Sequence, residues 1–195
     1  GTITLGDNLT VAKPAGSLVV LQQRNIEIRD SAATSNDRNL IANGTGAVLD
    51  CALRSLRSAT AGTRGIIYGT SHIVQGSAVI SGCTYGIISG TSHIVQGSAV
   101  ISGVTYGISF CTSQIVQESA VISGCTTGIR SGTSNIVQGS AVISGCSYGI
   151  AYGTSNVVQG SATISGSTTG IYQSANALVA HTASITGCNT NYRVD

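Results

Sequence analysis

The sequence predicts an all-β chain folded as a right-handed parallel β-helix, a single-stranded solenoid with rungs of 21 residues. Three observations predict it. Thr70, Thr91, Thr112, Thr133 and Thr154 stand 21 residues apart, and so do Gln75, Gln96, Gln117, Gln138 and Gln159. A fixed period of this size means one structural unit that buries its faces only against its own copies. The unit is too short for a pair of helices, which takes about 33 residues, but it holds three short strands and three turns. It is rich in Ile, Val, Ser, Thr and Gly, which favour strands and turns over helices. Successive copies then lie strand on strand, about 4.8 Å apart. The right hand follows from the strong preference of parallel crossovers.

In chain order, residues 1–68 read as irregular N-terminal rungs of the solenoid and 69–195 as regular repeats with a degenerate last rung. The early segment holds seven of the nine basic residues and five of the seven acidic ones. Strands are expected over Thr2–Leu5, 18–21 and 25–29, with a polar loop over 31–38. Gly65 and Ile66 already keep the register of Gly86 and Ile87, and no proline-rich or charged linker divides the chain.

Within the repeat, Gly76, Gly82 and Gly86 mark turns. Period-two alternation sends Ala78 and Ile80 inward and Val79 outward, in every copy. Two more inward ladders are expected, one headed by Ile87 and one comprising Ile73, Ile94, Ile115, Ile136 and Val157. Gln75 and its copies suit a ladder of side-chain amides. His72, His93, Gln114, Asn135 and Asn156 share a column, read as an outward polar ladder with its two rings about 5 Å apart. Two imidazoles fall short of the three or four ligands a metal usually takes, so no metal is expected. In the last copy Ile185, Gly187 and Cys188 keep register, and no capping helix follows. Its bare edge is expected to be covered by further chain or by a partner. The absence of Met suggests a fragment or a processed product.

Cys83, Cys125, Cys146 and Cys188 share a column with Val104 and Ser167, so they act as small buried side chains. Only Cys125 and Cys146 stand on adjacent rungs, where a bridge is conceivable. Free thiols point to synthesis in a reducing cytoplasm. A net charge of +2 predicts no nucleic-acid partner, and no apolar run is long enough for membrane insertion.

Catalytic candidates are sparse. Glycoside hydrolysis needs paired carboxylates. The regular stack offers Glu118, alone where other copies have Gly, and it reads as a solvated side chain. Glu27, Asp30, Asp37 and Asp50, with Arg24, Arg29 and Arg38, are the one set that could converge on a groove, although surface ion pairs and turn caps explain them more simply. A flat ice-binding face would want paired Thr columns, and here a single Thr column has Ser beside it. The chain is expected to use no cofactor and to have no catalytic activity of its own.

The run Ser-Gly-Cys-Thr-Tyr-Gly-Ile at 81–87, with its copies at 144–150 and 165–171, resembles the pectate-lyase-type β-helix repeat. The preceding Ser-Ala-Val-Ile-Ser-Gly is similar to β-helical segments of bacteriophage tail fibres and tailspikes. The resemblance spans about residues 65–190. It implies a structural and receptor-recognition segment of a virion tail, made in the host cytoplasm and acting outside the cell. It also implies a homotrimer that contacts a host cell-surface glycan or a neighbouring virion protein. The alternative is a polysaccharide-degrading lyase or hydrolase of the same superfamily. Val79, Val100, Val121 and Val142, with Tyr85, Tyr106 and Tyr148, are expected to form one outward apolar stripe, partly covered by trimerisation. Tyr rings left outside that interface would meet sugar.

Overall fold

The computed structural model describes residues 64–193 throughout and, before them, the strands Thr2–Leu5, Leu9–Ala12, Val20–Leu21, Glu27–Asp30, Arg38–Ala42, Val48–Leu49, Ala52–Ser55 and Thr63–Ile67. The chain is an all-β parallel solenoid. Each regular rung contributes a two-residue strand such as Ile73–Val74, a three-residue strand such as Val79–Ser81 and a four-residue strand such as Tyr85–Ile88. Copies stack into three parallel sheets of eight strands each, here called narrow, middle and wide. Register follows the 21-residue period: Ile80 lies opposite Ile101, Tyr85 opposite Tyr106, and Ile94 opposite Ile115. Val20–Leu21 and Val48–Leu49 extend the narrow sheet, Glu27–Asp30 and Ala52–Ser55 the middle one, and Arg38–Ala42 and Thr63–Ile67 the wide one. Thr2–Leu5 and Leu9–Ala12 pair antiparallel as a separate hairpin, an element the repeat pattern gives no hint of. The loop expected over 31–38 falls outside the described residues except for Arg38, which opens a strand.

The interior is filled by ladders of identical side chains. Ile80, Ile101, Ile122, Ile143 and Ile164 are fully buried, as are the Ile87 and Ala78 columns. At about 25 cal/mol per Å² of apolar surface, each buried Ile stabilises the stack by roughly 2 kcal/mol. The third inward ladder is displaced by one residue from expectation. Val74, Val95, Val116, Val137 and Val158 point into the core, while Ile73 and its copies are only half-buried and face outward. The cause is strand parity. Gln75 stands outside, where its amide joins its neighbours: Gln96 Nε2 donates to Gln75 Oε1 at 3.2 Å and Gln117 Nε2 to Gln96 Oε1 at 2.8 Å. With Gln75 outside, period two puts Val74 and His72 inside and Ile73 outside.

Corners rely on left-handed backbone. Gly82 and its copies adopt it, but so do the serines Ser71, Ser92, Ser113, Ser134 and Ser155, and so does the column Tyr68, Ser89, Phe110, Ser131, Tyr152. Glu118 takes the same conformation, with φ of 59°, at a corner where Gly serves elsewhere. Its Oε2 accepts a hydrogen bond from the Gly97 N–H of the previous rung at 2.8 Å, which offsets part of the strain.

Candidate functional site: an aromatic and cationic face

The outward face of the wide sheet is built by a break in alternation. Tyr85 points out and Ile87 points in, two residues on, so the strand must swivel at Gly86. A Cβ there would lie 2.6 Å from Gly107 O and 2.8 Å from Ile101 Cγ2, which is why the copies from Gly65 to Gly170 all have Gly, while the last rung, with Asn191, departs. After the swivel, Ile88 returns to the outer side and residue 89 turns the corner in left-handed conformation. Three outward columns result, headed by Tyr85, Ile88 and Ser89. They open on one side, because the Arg130 guanidinium of the second column sits 4.6 Å from the Tyr106 ring of the first and 5.4 Å from the Phe110 ring of the third.

Large and small residues interlock across these columns. One set of alternate rungs has an aromatic corner beside a small neighbour: Ser109 with Phe110, and Ala151 with Tyr152. The rungs between have the reverse, Arg130 with Ser131 and Tyr172 with Gln173. Ser109, Ala151, Thr127 and Thr169 are buried even though they belong to outward columns, so the larger side chains around them cover them. Tyr85 stacks on Tyr106 with centroids 5.2 Å apart; Tyr148 meets Tyr172 at 4.9 Å, and Tyr172 meets the edge of Tyr152 at 5.2 Å. Arg193 lies 5.6 Å from the Tyr172 ring. The outcome is a layer of fixed rings whose corner members, Tyr68, Phe110 and Tyr152, remain about half exposed, at 51, 50 and 47%.

The charge on this face has one sign. Arg64 heads the Tyr85 column by register, and Arg130 and Arg193 lie in the Ile88 column. Among residues 64–193 the one carboxylate is Glu118, which stands at the corner between the narrow and middle sheets.

Of the residues singled out by sequence, Tyr85, Tyr106 and Tyr148 all stand on this face, with Thr127 between the last two. Val79 and its copies belong to the middle sheet, across the corner at Gly82, so valines and tyrosines line two sheets and not one stripe. Glu27 and Asp30 open and close one strand; Asp37 and Asp50 lie outside the described residues. Tyr68, Phe110, Tyr152, Arg130 and Tyr172 were not anticipated. The signal that finds them is a doubled period: aromatic corners recur every 42 residues, not every 21.

The histidine column is interior, not outward. His72, His93, Gln114, Asn135 and Asn156 are all buried. Each later side chain accepts a backbone N–H from the rung before it: His93 Nδ1 from His72, Gln114 Oε1 from His93, and Asn135 Oδ1 from Gln114, each at 3.1 Å. The column thus satisfies corner amides that would otherwise be orphaned in the core. The two rings stack 4.9 Å apart, close to the rung spacing expected. Among the described residues no group of three or more His, Cys, Asp or Glu could hold a metal. Burial, and then the charge of His72, push His93 down to about 4 from 6.5, and burial lowers His72 as well. Because the folded value lies below the unfolded one, the unfolded chain binds the extra proton. Stability is therefore full above pH 6.5 and is lost as pH falls toward about 4. We expect a loss of about 3 kcal/mol from His93 across that window. Melting temperatures at neutral and acidic pH should diverge in the wild type and much less in His72→Asn/His93→Asn, since Asn already serves this column at 135 and 156.

The cysteine column is buried as expected through Cys83, Cys125 and Cys146, with Cys188 partly exposed, and all four are free thiols. Cys125 and Cys146 interact thiol to thiol. That bond, and then burial, push the Cys125 thiol up; the same bond lowers Cys146 to about 7 against the opposing effect of burial.

No protein-family model matches this chain, and no curated protein or solved structure matches it either.

Proposed function

We propose that this solenoid is a structural and receptor-recognition segment of a bacteriophage tail fibre or tailspike, made in the host cytoplasm and acting at the cell surface from the virion tail. The single observation that carries the recognition half is the ring layer of the wide sheet, with Tyr85, Tyr106 and Tyr148 among its members. Rings packed on one another form a continuous apolar surface with polar hydroxyl tips, the combination that receives a sugar ring. They are immobilised before binding, so little further ordering is needed. The stack beneath supplies the rigid shaft a fibre requires.

Trimerisation is part of the same reading. The Val79 column lies on the middle sheet, half-buried and away from the ring layer. A closed cyclic assembly over that column would leave the aromatic face outward. The polysaccharide-degrading alternative draws no support from residues 64–193, where Glu118 is the single carboxylate.

The test uses the purified chain. Light scattering should give three times the 19.5 kDa chain mass, and a clean monomer refutes trimerisation by this segment. Binding to bacterial cells should be lost in Tyr85→Thr/Tyr106→Thr/Tyr148→Thr with the melting temperature little changed, because Thr already fills that column at 127 and 169. Unchanged binding assigns recognition elsewhere.

A further inference from the structure

We infer that the ligand of the aromatic face is an extended anionic polysaccharide lying along the solenoid axis, with sugar rings over the corner aromatics and acid groups over the arginines. The inference rests on the recognition reading above and adds the chemical class and direction of the ligand.

Direction comes from the doubled period. Tyr68, Phe110 and Tyr152 are two rungs apart, which is about 10 Å at strand spacing. They form a row of equivalent half-exposed rings parallel to the axis. A row that repeats by translation fits a ligand that repeats by translation. A linear polysaccharide with two sugars per step satisfies this; a second copy of the solenoid shares the period but would bring arginines of the same sign against this face. The same step relates the rest of the platform, since Tyr106 and Ser109 return as Tyr148 and Ala151.

Class comes from charge. All three basic residues between 64 and 193, Arg64, Arg130 and Arg193, belong to this sheet, and no carboxylate does. Arg130 stands mid-face between the Tyr106 and Phe110 rings. That position puts a planar donor fork beside an exposed ring, suited to a carboxylate or phosphate carried on a stacked sugar.

The test measures retention of the full chain on immobilised acidic polysaccharides (polyuronates, polysialate, phosphate-linked capsules) and on neutral dextran and mannan. Two variants accompany it. Tyr68→Ser/Phe110→Ser/Tyr152→Ser places serine where Ser89 and Ser131 already hold the same left-handed corner. Arg130→Ala copies Ala151 of the same column. Retention should be confined to acidic polymers and fall steeply with added salt. Each variant should weaken it roughly tenfold or more, with the melting temperature unmoved. Equal retention on neutral polymers overturns the anionic class and leaves the recognition reading standing. A short oligosaccharide that binds as tightly as the long chain overturns the axial placement. Retention on no polymer, while cell binding persists and depends on Tyr85, Tyr106 and Tyr148, overturns the polysaccharide ligand in favour of a protein receptor. A fall in molecular mass in the triple Ser variant makes the face a contact between copies and overturns the inference outright.

Discussion

Ile122→Asp leaves the solenoid unfolded. Ile122 is wholly buried and lies in register between Ile101 and Ile143. Every member of the surrounding core cluster is aliphatic or Cys, so no cation waits for the new carboxylate. Loss of the side chain and its cavity costs about 2–5 kcal/mol. An unpaired buried charge, or the protonation needed to avoid it, adds several more. Solenoid rungs are stabilised chiefly by their neighbours, so a failure in mid-stack removes two interfaces at once. Together these exceed the total stability of an ordinary domain of this length, about 5–15 kcal/mol, at least at its lower end. Circular dichroism should show no cooperative melt, whereas Ile122→Val should melt normally with a loss near 1 kcal/mol. A wild-type transition in the Asp variant would mean that this column does not face the core.

The repeat made the architecture legible because a solenoid writes its register directly into the chain. Equal spacing of Thr70, Gln75 and Gly86 and their copies gives the rung, and identical side chains such as Ile80 and Ile101 give the ladder. What failed was parity on the narrow sheet. Placing Ile73 inside and His72 outside is one error made twice, since both follow from a single-residue slip of a two-residue strand. Hydrophobicity alone cannot choose between adjacent Ile73 and Val74. The polar neighbour could have chosen, because Gln75 can build an amide ladder outside only if Val74 is inside. The aromatic face was half legible for a different reason. Tyr85, Tyr106 and Tyr148 sit in an obvious column, but their partners lie on other columns and other rungs. Only the swivel at Gly86 and the packing of Arg130 across two rungs bring them together. The early carboxylates follow no repeat, so the sequence offered no register in which to place them.

The second large effect concerns Gly128, where alanine should destabilise the stack by about 3 kcal/mol. Its backbone does not need glycine for conformational reasons, since its φ is not positive. Space is the constraint. A Cβ would sit 2.6 Å from Gly149 O and 2.7 Å from Ile143 Cγ2. The oxygen belongs to a main chain clamped in the parallel ladder, and Ile143 is a β-branched residue locked in the core, so neither can yield cheaply. Relief would require the wide sheet to separate at the swivel that aims Tyr106 and Thr127 outward. Gly124 is the informative comparison. Its φ is +62°, yet the nearest atom to an added Cβ is Gly103 N, 3.9 Å away. Alanine there meets only an ordinary van der Waals contact and costs the left-handed penalty of about 1 kcal/mol, which Glu118 and the corner serines already bear in the native chain. Denaturant midpoints should therefore rank wild type above Gly124→Ala, and Gly124→Ala well above Gly128→Ala. The opposite order would show that backbone conformation, not close approach between rungs, decides where this solenoid must have glycine.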